Sequence, residues 1–223
     1  MLEGECSDEF TLRWVLSVTP CLRGKNFRRR VRVKESAPTR QAMPSVEFDL
    51  QPTLTGKLIE VRPLKPEDFD ALFKAASDPL IWEQHPEPDR YKREIFQRYF
   101  DSAIESKGAF AVIYRKSGRI IGSSRYHDLK RVEREVEIGF TFLERACWGG
   151  SYNRELKSLM LDHAFRFVDR VVFVVGENNL RSQKALEKIG AKFLRKTERP
   201  ARDGTMRPNL VFVASRQHHK GNH

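Results

Sequence analysis

From residue 58 onward the apolar positions either alternate or recur every three to four residues, and the period identifies each element. Residues 58–62 alternate and stop at Pro63, which predicts a short strand. Pro66, Glu67 and Asp68 then stand at a helix entrance, with Phe69, Leu72, Phe73 and Ala76 at helical spacing behind them. A second helix is expected over 90–105. Residues 109–114, a turn at Lys116-Ser117-Gly118 and residues 119–126 read as a hairpin, with 135–143 as a third neighbouring strand. Leu156, Leu159, Met160, Ala164 and Phe167 mark one helical face, which Leu161, Phe165 and Val168 widen, so this helix is expected to be largely buried. Residues 171–175 are wholly apolar and β-branched apart from Phe173, the pattern of a strand covered on both faces. A helix over 182–189 stops at Gly190, and strands over 192–197 and 209–215 complete the pattern. This order predicts an α/β fold, one sheet with helices on both faces.

The first 42 residues read differently. They hold nine basic and five acidic residues, so more than half of the net charge of +11 lies further along the chain. The basic run at 27–34 has the look of a nucleic-acid or nuclear-localisation patch, but a solvated basic segment is the favoured reading. The acidic start (Glu3, Glu5, Asp8, Glu9) and Arg13 argue against a cleaved secretory signal. Met43 precedes the regular pattern, so 1–42 are expected to be a loose extension, upstream of the true start codon. The expected organisation is therefore an extended basic segment over 1–42, one folded domain over 43–216 and a polar tail over 217–223. No apolar run approaches the roughly 18 residues of a membrane-crossing helix. Three cysteines, an odd number without a CxxC pair, indicate neither a disulfide framework nor a zinc ribbon, and a reducing cytoplasm fits them best.

The most informative segment is Trp148-Gly149-Gly150-Ser151-Tyr152-Asn153, between a strand and the buried helix. Adjacent glycines let backbone amides approach a ligand, and the helix N terminus behind them offers unpaired N–H groups with partial positive charge, a setting for phosphate. The same residues also serve a plain tight turn. The pattern is neither GxxxxGK[ST] nor GxGxxG followed by an acidic residue about 20 positions on, which argues against a P-loop hydrolase and a Rossmann site. Glu137-Ile138-Gly139-Phe140 precedes this segment. Glu177-Asn178-Asn179-Leu180-Arg181-Ser182 and Glu187-Lys188-Ile189-Gly190 follow the next strand. Together these motifs resemble the GNAT superfamily of acetyl-CoA-dependent N-acetyltransferases, in the branch of the ribosomal-protein-alanine acetyltransferases (RimJ/RimL type), over 58–215.

The resemblance implies a mixed, mostly antiparallel seven-stranded sheet, splayed between the strands at 135–143 and 171–175, with acetyl-CoA entering the gap as co-substrate. It implies that the amides of Trp148, Gly149, Gly150, Ser151, Tyr152 and Asn153 hold the pyrophosphate. The backbone of Phe140, Thr141, Phe142 and Leu143 would pair with the pantetheine arm. Asn179 would hydrogen-bond the pantetheine or the acetyl end, and Ser182 would sit near the sulfur. Two departures stand out. Ala146 and Ser151 occupy the first and last places of the family's phosphate loop, and Leu186 stands where many members carry an acidic Tyr, which leaves Ser182 or a water to protonate the thiolate.

Direct attack of an amine on a thioester needs a neutral amine, a polarised carbonyl and a protonated leaving group, and no metal. Glu137 is the candidate to accept the amine proton, directly or through a water, with burial raising its pKa. The alternative is that it pairs with Arg125 or another base in the sheet. Glu83, Glu87, Asp89 and Glu135 near the acceptor mouth are expected to attract a cationic amine. Cys147 reads as a packed thiol, His163 as a satisfied boundary residue, and His218, His219 and His223 as part of the tail. His85 and His127 have no partner at ligand spacing, and Trp82, Tyr91, Phe96, Tyr99 and Phe100 read mainly as core. The acceptor is a protein or peptide N terminus or a small amine, and a homodimer is compatible with this reading. The rival readings are a CoA-sensing module without catalysis and a nucleic-acid- or ribosome-binding module on the same fold.

Overall fold

The computed structural model describes residues 47–201 and 204–219. The expected N-terminal extension and its start-codon reading lie outside those residues. The strands are β1 (Leu54–Thr55), β2 (Ile59–Pro63), β3 (Ala109–Tyr114), β4 (Arg119–Lys130), β5 (Glu135–Leu143), β6 (Arg170–Gly176), β7 (Lys192–Pro200) and β8 (Met206–Ser215). The α-helices are α1 (Phe69–Ala76), α2 (Arg93–Glu105), α3 (Ser151–Ala164) and α4 (Leu180–Lys188). All eight strands join one sheet in the order β1-β2-β3-β4-β5-β6-β8-β7, antiparallel except for β5 against β6. The class is the expected one. The eighth strand is β1, two residues paired with Val61 and Glu60, too short to show an alternating pattern.

Two apolar clusters sandwich the sheet. One packs α3 and Leu186 of α4 against Phe110, Tyr126, Ile138, Phe173 and Phe212; the other packs α1 and α2 against Ala111, Ile120 and Phe142. Trp82, Phe96, Tyr99 and Phe100 are buried in the second cluster, in keeping with their reading as core.

Boundaries moved where local chemistry overrides period. Pro88 opens a 3-10 turn, Pro88–Tyr91, and Lys92 is extended, so α2 starts at Arg93 rather than at residue 90. Asn179 accepts from the Ser182 amide and caps α4, which therefore starts at Leu180, two residues before the expected start. The supposed tail is partly docked. Ser215 Oγ lies 2.6 Å from His218 Nδ1, and His219 Nε2 lies 2.6 Å from Asp162 Oδ1 with its ring against Phe165.

The feature that creates the site is a parting of the two parallel strands. β5 and β6 pair only at Glu135↔Arg170, Val136↔Val171 and Glu137↔Val172. Beyond that point β5 turns away. Phe140 takes a left-handed φ of 53°, the β4–β5 register skips between Ser123 and Arg125, and Tyr99 Oη donates to the Phe140 carbonyl at 3.0 Å. The expectation that 171–175 are covered on both faces fails here for this reason: Val171, Val172 and Phe173 are buried, but Val174 and Val175 edge the gap and are only half-buried.

Candidate active site

The wedge between β5 and β6 holds two adjoining cavities. One, about 170 Å³, is lined among others by Phe142, Leu143, Trp148, Gly149, Asn153, Asn179 and Ser182. The other, about 460 Å³, shares Asn153, Asn179 and Ser182 and extends to Glu137, Phe140, His127 and Lys157. Of the residues expected at the site, Gly150, Ser151 and Tyr152 line neither cavity. Ser151 and Tyr152 open α3, and the Tyr152 ring packs against Tyr114 with centroids 5.7 Å apart.

A 3-10 turn, Arg145–Cys147, leads from β5 into α3. It commits the Trp148 amide to the Arg145 carbonyl at 3.0 Å, so Trp148, expected to be a phosphate donor, has no free N–H. Its ring is fixed instead: Nε1 donates to the Leu143 carbonyl at 2.9 Å and the Arg181 guanidinium lies 3.9 Å above the ring centroid. Gly149 then takes φ 69°, a conformation other residues adopt only with strain, and Gly150 occupies the N-cap with no side chain to satisfy the helix. The first three amides of an α-helix have no partner within it. The amides of Gly149, Gly150, Ser151, Tyr152 and Asn153 accordingly find no acceptor among the described residues. Five donors at the positive end of a 14-residue helix are the groups an anion would need there.

On the opposite wall, Asn179 caps α4 through Oδ1, 3.1 Å from the Ser182 amide, which leaves its Nδ2 and the Ser182 hydroxyl at the cleft. Leu186 is buried in the core beneath them.

Glu137 is buried on β5, but its charge is already matched. Arg199 of β7 donates to both carboxylate oxygens, at 3.1 and 2.6 Å. The partner is therefore Arg199 and not Arg125, whose guanidinium lies over the rings of Phe140 and Tyr99. The sequence reading missed His127. The β4–β5 register sets it directly opposite Glu137, with Nε2 3.4 Å from Glu137 Oε1 and Nδ1 3.3 Å from Asp128 Oδ2. Nε2 is buried without a hydrogen bond among the described residues, and burial lowers the imidazole pKa, so the ring is neutral at neutral pH. Gly139 makes room for it: a Cβ there would come within 2.6 Å of Nε2. The signal in sequence was the hairpin register, since residues 127 and 137 become neighbours only once the turn is placed. His127, Asp128 and Glu137 have the donor types of a metal site, but Arg199 fills both oxygens of Glu137.

The remaining candidates resolve into structural parts. Burial and the Arg90 charge hold the pKa of His85 down at about 3, and its Nδ1 accepts from the Glu87 amide. Burial and the nearby Glu144 push the Cys147 thiol up to about 11, which makes it a poor nucleophile. His163 lies 2.8 Å from the Asp49 carbonyl through Nε2. The acids expected to attract an amine are each paired: Glu83 with Arg181, Glu87 with Arg90, Asp89 with Lys92, and Glu135 with Lys130 and Arg170. They form a neutralised rim and not an acidic funnel.

A mixed sheet that parts between two parallel strands, with an open helix end at the mouth, defines an acetyltransferase of the kind that takes its acetyl group from coenzyme A. Residues 59–192 match the acetyltransferase (GNAT) domain, and the chain belongs to that family. Among solved structures it is similar to a GCN5-related N-acetyltransferase from Brucella melitensis, at TM-score 0.67 and 21% identity over 77% of this chain and 80% of that one. It is also similar to RimJ of Mycobacterium smegmatis in complex with CoA-disulfide, at TM-score 0.61 and 18% identity over 75% and 88% of the two chains. At these identities the likeness is one of fold. No curated protein matches the chain.

Proposed function

We propose that the protein is an N-acetyltransferase that moves the acetyl group of acetyl-CoA to a primary amine, on a protein or peptide N terminus or a small molecule, in the cytoplasm. The observation that carries this reading is the set of uncommitted amides from Gly149 to Asn153 at the start of α3, of which Gly149 and Asn153 line the wedge where β5 and β6 part. They suit a diphosphate, whose charge the helix dipole stabilises. Beyond Glu137 the main chain of β5 has no pairing with β6, so the stretch through Phe140, Phe142 and Leu143 would run beside the pantetheine arm, with the Phe140 and Leu143 carbonyls already taken by Tyr99 Oη and Trp148 Nε1. Asn179 Nδ2 and Ser182 Oγ flank the thioester.

In the transfer, the amine nitrogen bonds to the thioester carbon and the C–S bond breaks. The nitrogen gives up a proton and the sulfur gains one. We assign the first proton to His127 Nε2, with Glu137 beside it stabilising the imidazolium; Arg199 holds the carboxylate in place. Glu137 thus acts on the amine proton through His127. The Ser182 hydroxyl, in the first turn of α4, donates toward the departing sulfur, whose negative charge the positive end of α4 favours.

Calorimetry with acetyl-CoA, followed by release of free CoA over a panel of peptide and small amines, tests the reading. Binding near micromolar affinity and turnover with at least one amine are expected. Steep salt-dependent RNA binding with no CoA binding would overturn it in favour of a nucleic-acid module. His127→Ala and Glu137→Gln should each lower kcat by 10- to 100-fold and flatten the limb of the pH–rate curve below neutrality. A curve unchanged in both variants removes the pair from the mechanism.

A further inference from the structure

Lys157 lines the cleft, and the transfer reaction leaves it without a task. It lies in the second turn of α3, four residues after Asn153, and is 5% exposed. Its Nζ donates to Thr141 Oγ1 at 2.7 Å, and that hydroxyl in turn lies 2.7 Å from Ser124 Oγ. The ammonium also lies 5.4 Å from the centroid of the Phe173 ring. All these neighbours are uncharged, and no carboxylate pairs with Lys157 among the described residues. An ammonium carries three donors, of which one is used. Leaving a buried cation unpaired is costly, and here burial alone pulls the pKa down to about 7.

Its position is as telling as its isolation. Val172 is the last residue of β6 paired with β5, Phe173 is the next one, and Thr141 follows the bend at Phe140. Lys157 Nζ therefore bridges the two walls at the floor of the wedge, beside the point where they part, and it lines the larger cavity. With a diphosphate at Gly149 to Asn153 and a thioester between Ser182 and Phe140, the part of a donor that reaches this floor is the far end of its acyl group. The other cations of the cleft are already matched, Arg199 by Glu137, Arg90 by Glu87 and Arg181 by Glu83.

We propose that Lys157 anchors a carboxylate at the end of the acyl chain, so that the cleft takes the CoA thioester of a short dicarboxylic acid, of malonyl or succinyl size, more tightly than acetyl-CoA. The inference rests on the reading of the wedge as an acyl-CoA cleft and adds the class of donor. A carboxylate there completes the hydrogen bonding of the ammonium and supplies the missing countercharge. An acetyl methyl does neither.

The test is calorimetry of free CoA, acetyl-CoA, malonyl-CoA and succinyl-CoA with the full chain and with its Lys157→Met and Lys157→Gln variants. Methionine keeps the unbranched shape without the charge, and glutamine keeps a donor for Thr141. Free CoA reads the cleft without an acyl group and is expected to bind all three proteins within about threefold, which also reports that the variants fold. The unsubstituted protein should bind malonyl-CoA or succinyl-CoA at least tenfold more tightly than acetyl-CoA, and both variants should lose that preference. Retained CoA binding with no preference, or a preference that survives both substitutions, overturns the donor assignment while leaving the cleft reading intact. A mass increase from acylation of Lys157 Nζ also overturns it, because the amine is then an acceptor and not an anchor. Failure of free CoA to bind the unsubstituted protein overturns both readings.

Discussion

Two helices point their N termini at the same cleft, and they end differently. α4 begins under an Asn179 cap that occupies the Ser182 amide, whereas α3 begins at Gly150, with no side chain to spare and five amides left open. A side-chain cap contributes about 1 kcal/mol to a helix relative to alanine and a few tenths of a kcal/mol relative to glycine. α3 forgoes that contribution where an anion would supply the missing acceptors. α4 keeps its cap and contributes side chains to the cleft. An uncapped helix beside a capped one is therefore a better pointer to a ligand than a glycine pair alone.

The contrast can be broken by giving α3 the end that α4 has. Gly150 is extended (φ −98°, ψ −161°), and a Cβ there would meet only Tyr152 Cδ2 at 3.8 Å, so Gly150→Asp fits the backbone. The carboxylate should cap the helix, raise stability by a few tenths of a kcal/mol and weaken CoA binding at least a hundredfold by occupying and repelling at the cradle. Chemical denaturation and calorimetry read the two opposite effects on one variant.

The interior of α3 supplies a second lever. Lys157 has a pKa of about 7 in the folded chain, well below that of an exposed lysine. Between about pH 7 and the ordinary lysine value near 10.4 the unfolded chain binds more protons, so stability rises with pH across that window. The penalty is fully present below about pH 7. Lys157→Met should abolish the slope and raise stability at pH 6 by about 2 kcal/mol, measured by urea denaturation from pH 6 to 10. An unaltered slope would mean that the ammonium is solvated.

Uncapping α4 is the smaller reciprocal change. Asn179→Ala should cost about 1 kcal/mol of stability and weaken acetyl-CoA binding only a few-fold, because the cradle on α3 is untouched. The smallest effect concerns Cys147, three residues before the open helix end. With its pKa pushed up to about 11, it should react with iodoacetamide at pH 8 far more slowly than a model thiol. Rapid alkylation would show that the positive field of α3 reaches the thiol as well as the cleft.

Elements whose identity is local were legible from sequence. β5 into the Gly149-Gly150 turn, the buried face of α3 and the apolar β6 were all readable, and the parting of β5 from β6 followed from the resemblance they carry. What stayed hidden depends on distant residues or on atypical use of a residue type. Arg199 meets Glu137 across 62 positions, and no period in the chain links them. Lysine is normally solvated, so Lys157 between Leu156 and Ser158 reads as helix surface, although α3 buries it. Asn179 was read as a ligand contact, and its role as N-cap was missed because the helix was started at Ser182, two residues late. The acids at the mouth were counted as free charges because their partners lie on other elements, as with Arg181 for Glu83, 98 positions away.

The strand order has a consequence for synthesis. β8 follows β7 in the chain but lies between β6 and β7, where its residues 209–215 cover the whole length of β6. Until those residues emerge, β6 has only its three-residue pairing with β5 to hold it, and β7 has no neighbour at all. One wall of the cleft is thus assembled only after β8 has been made. A nascent chain stalled before residue 206 would hold the open end of α3 and no opposing wall, so competence to bind should appear abruptly once residues 206–215 have emerged.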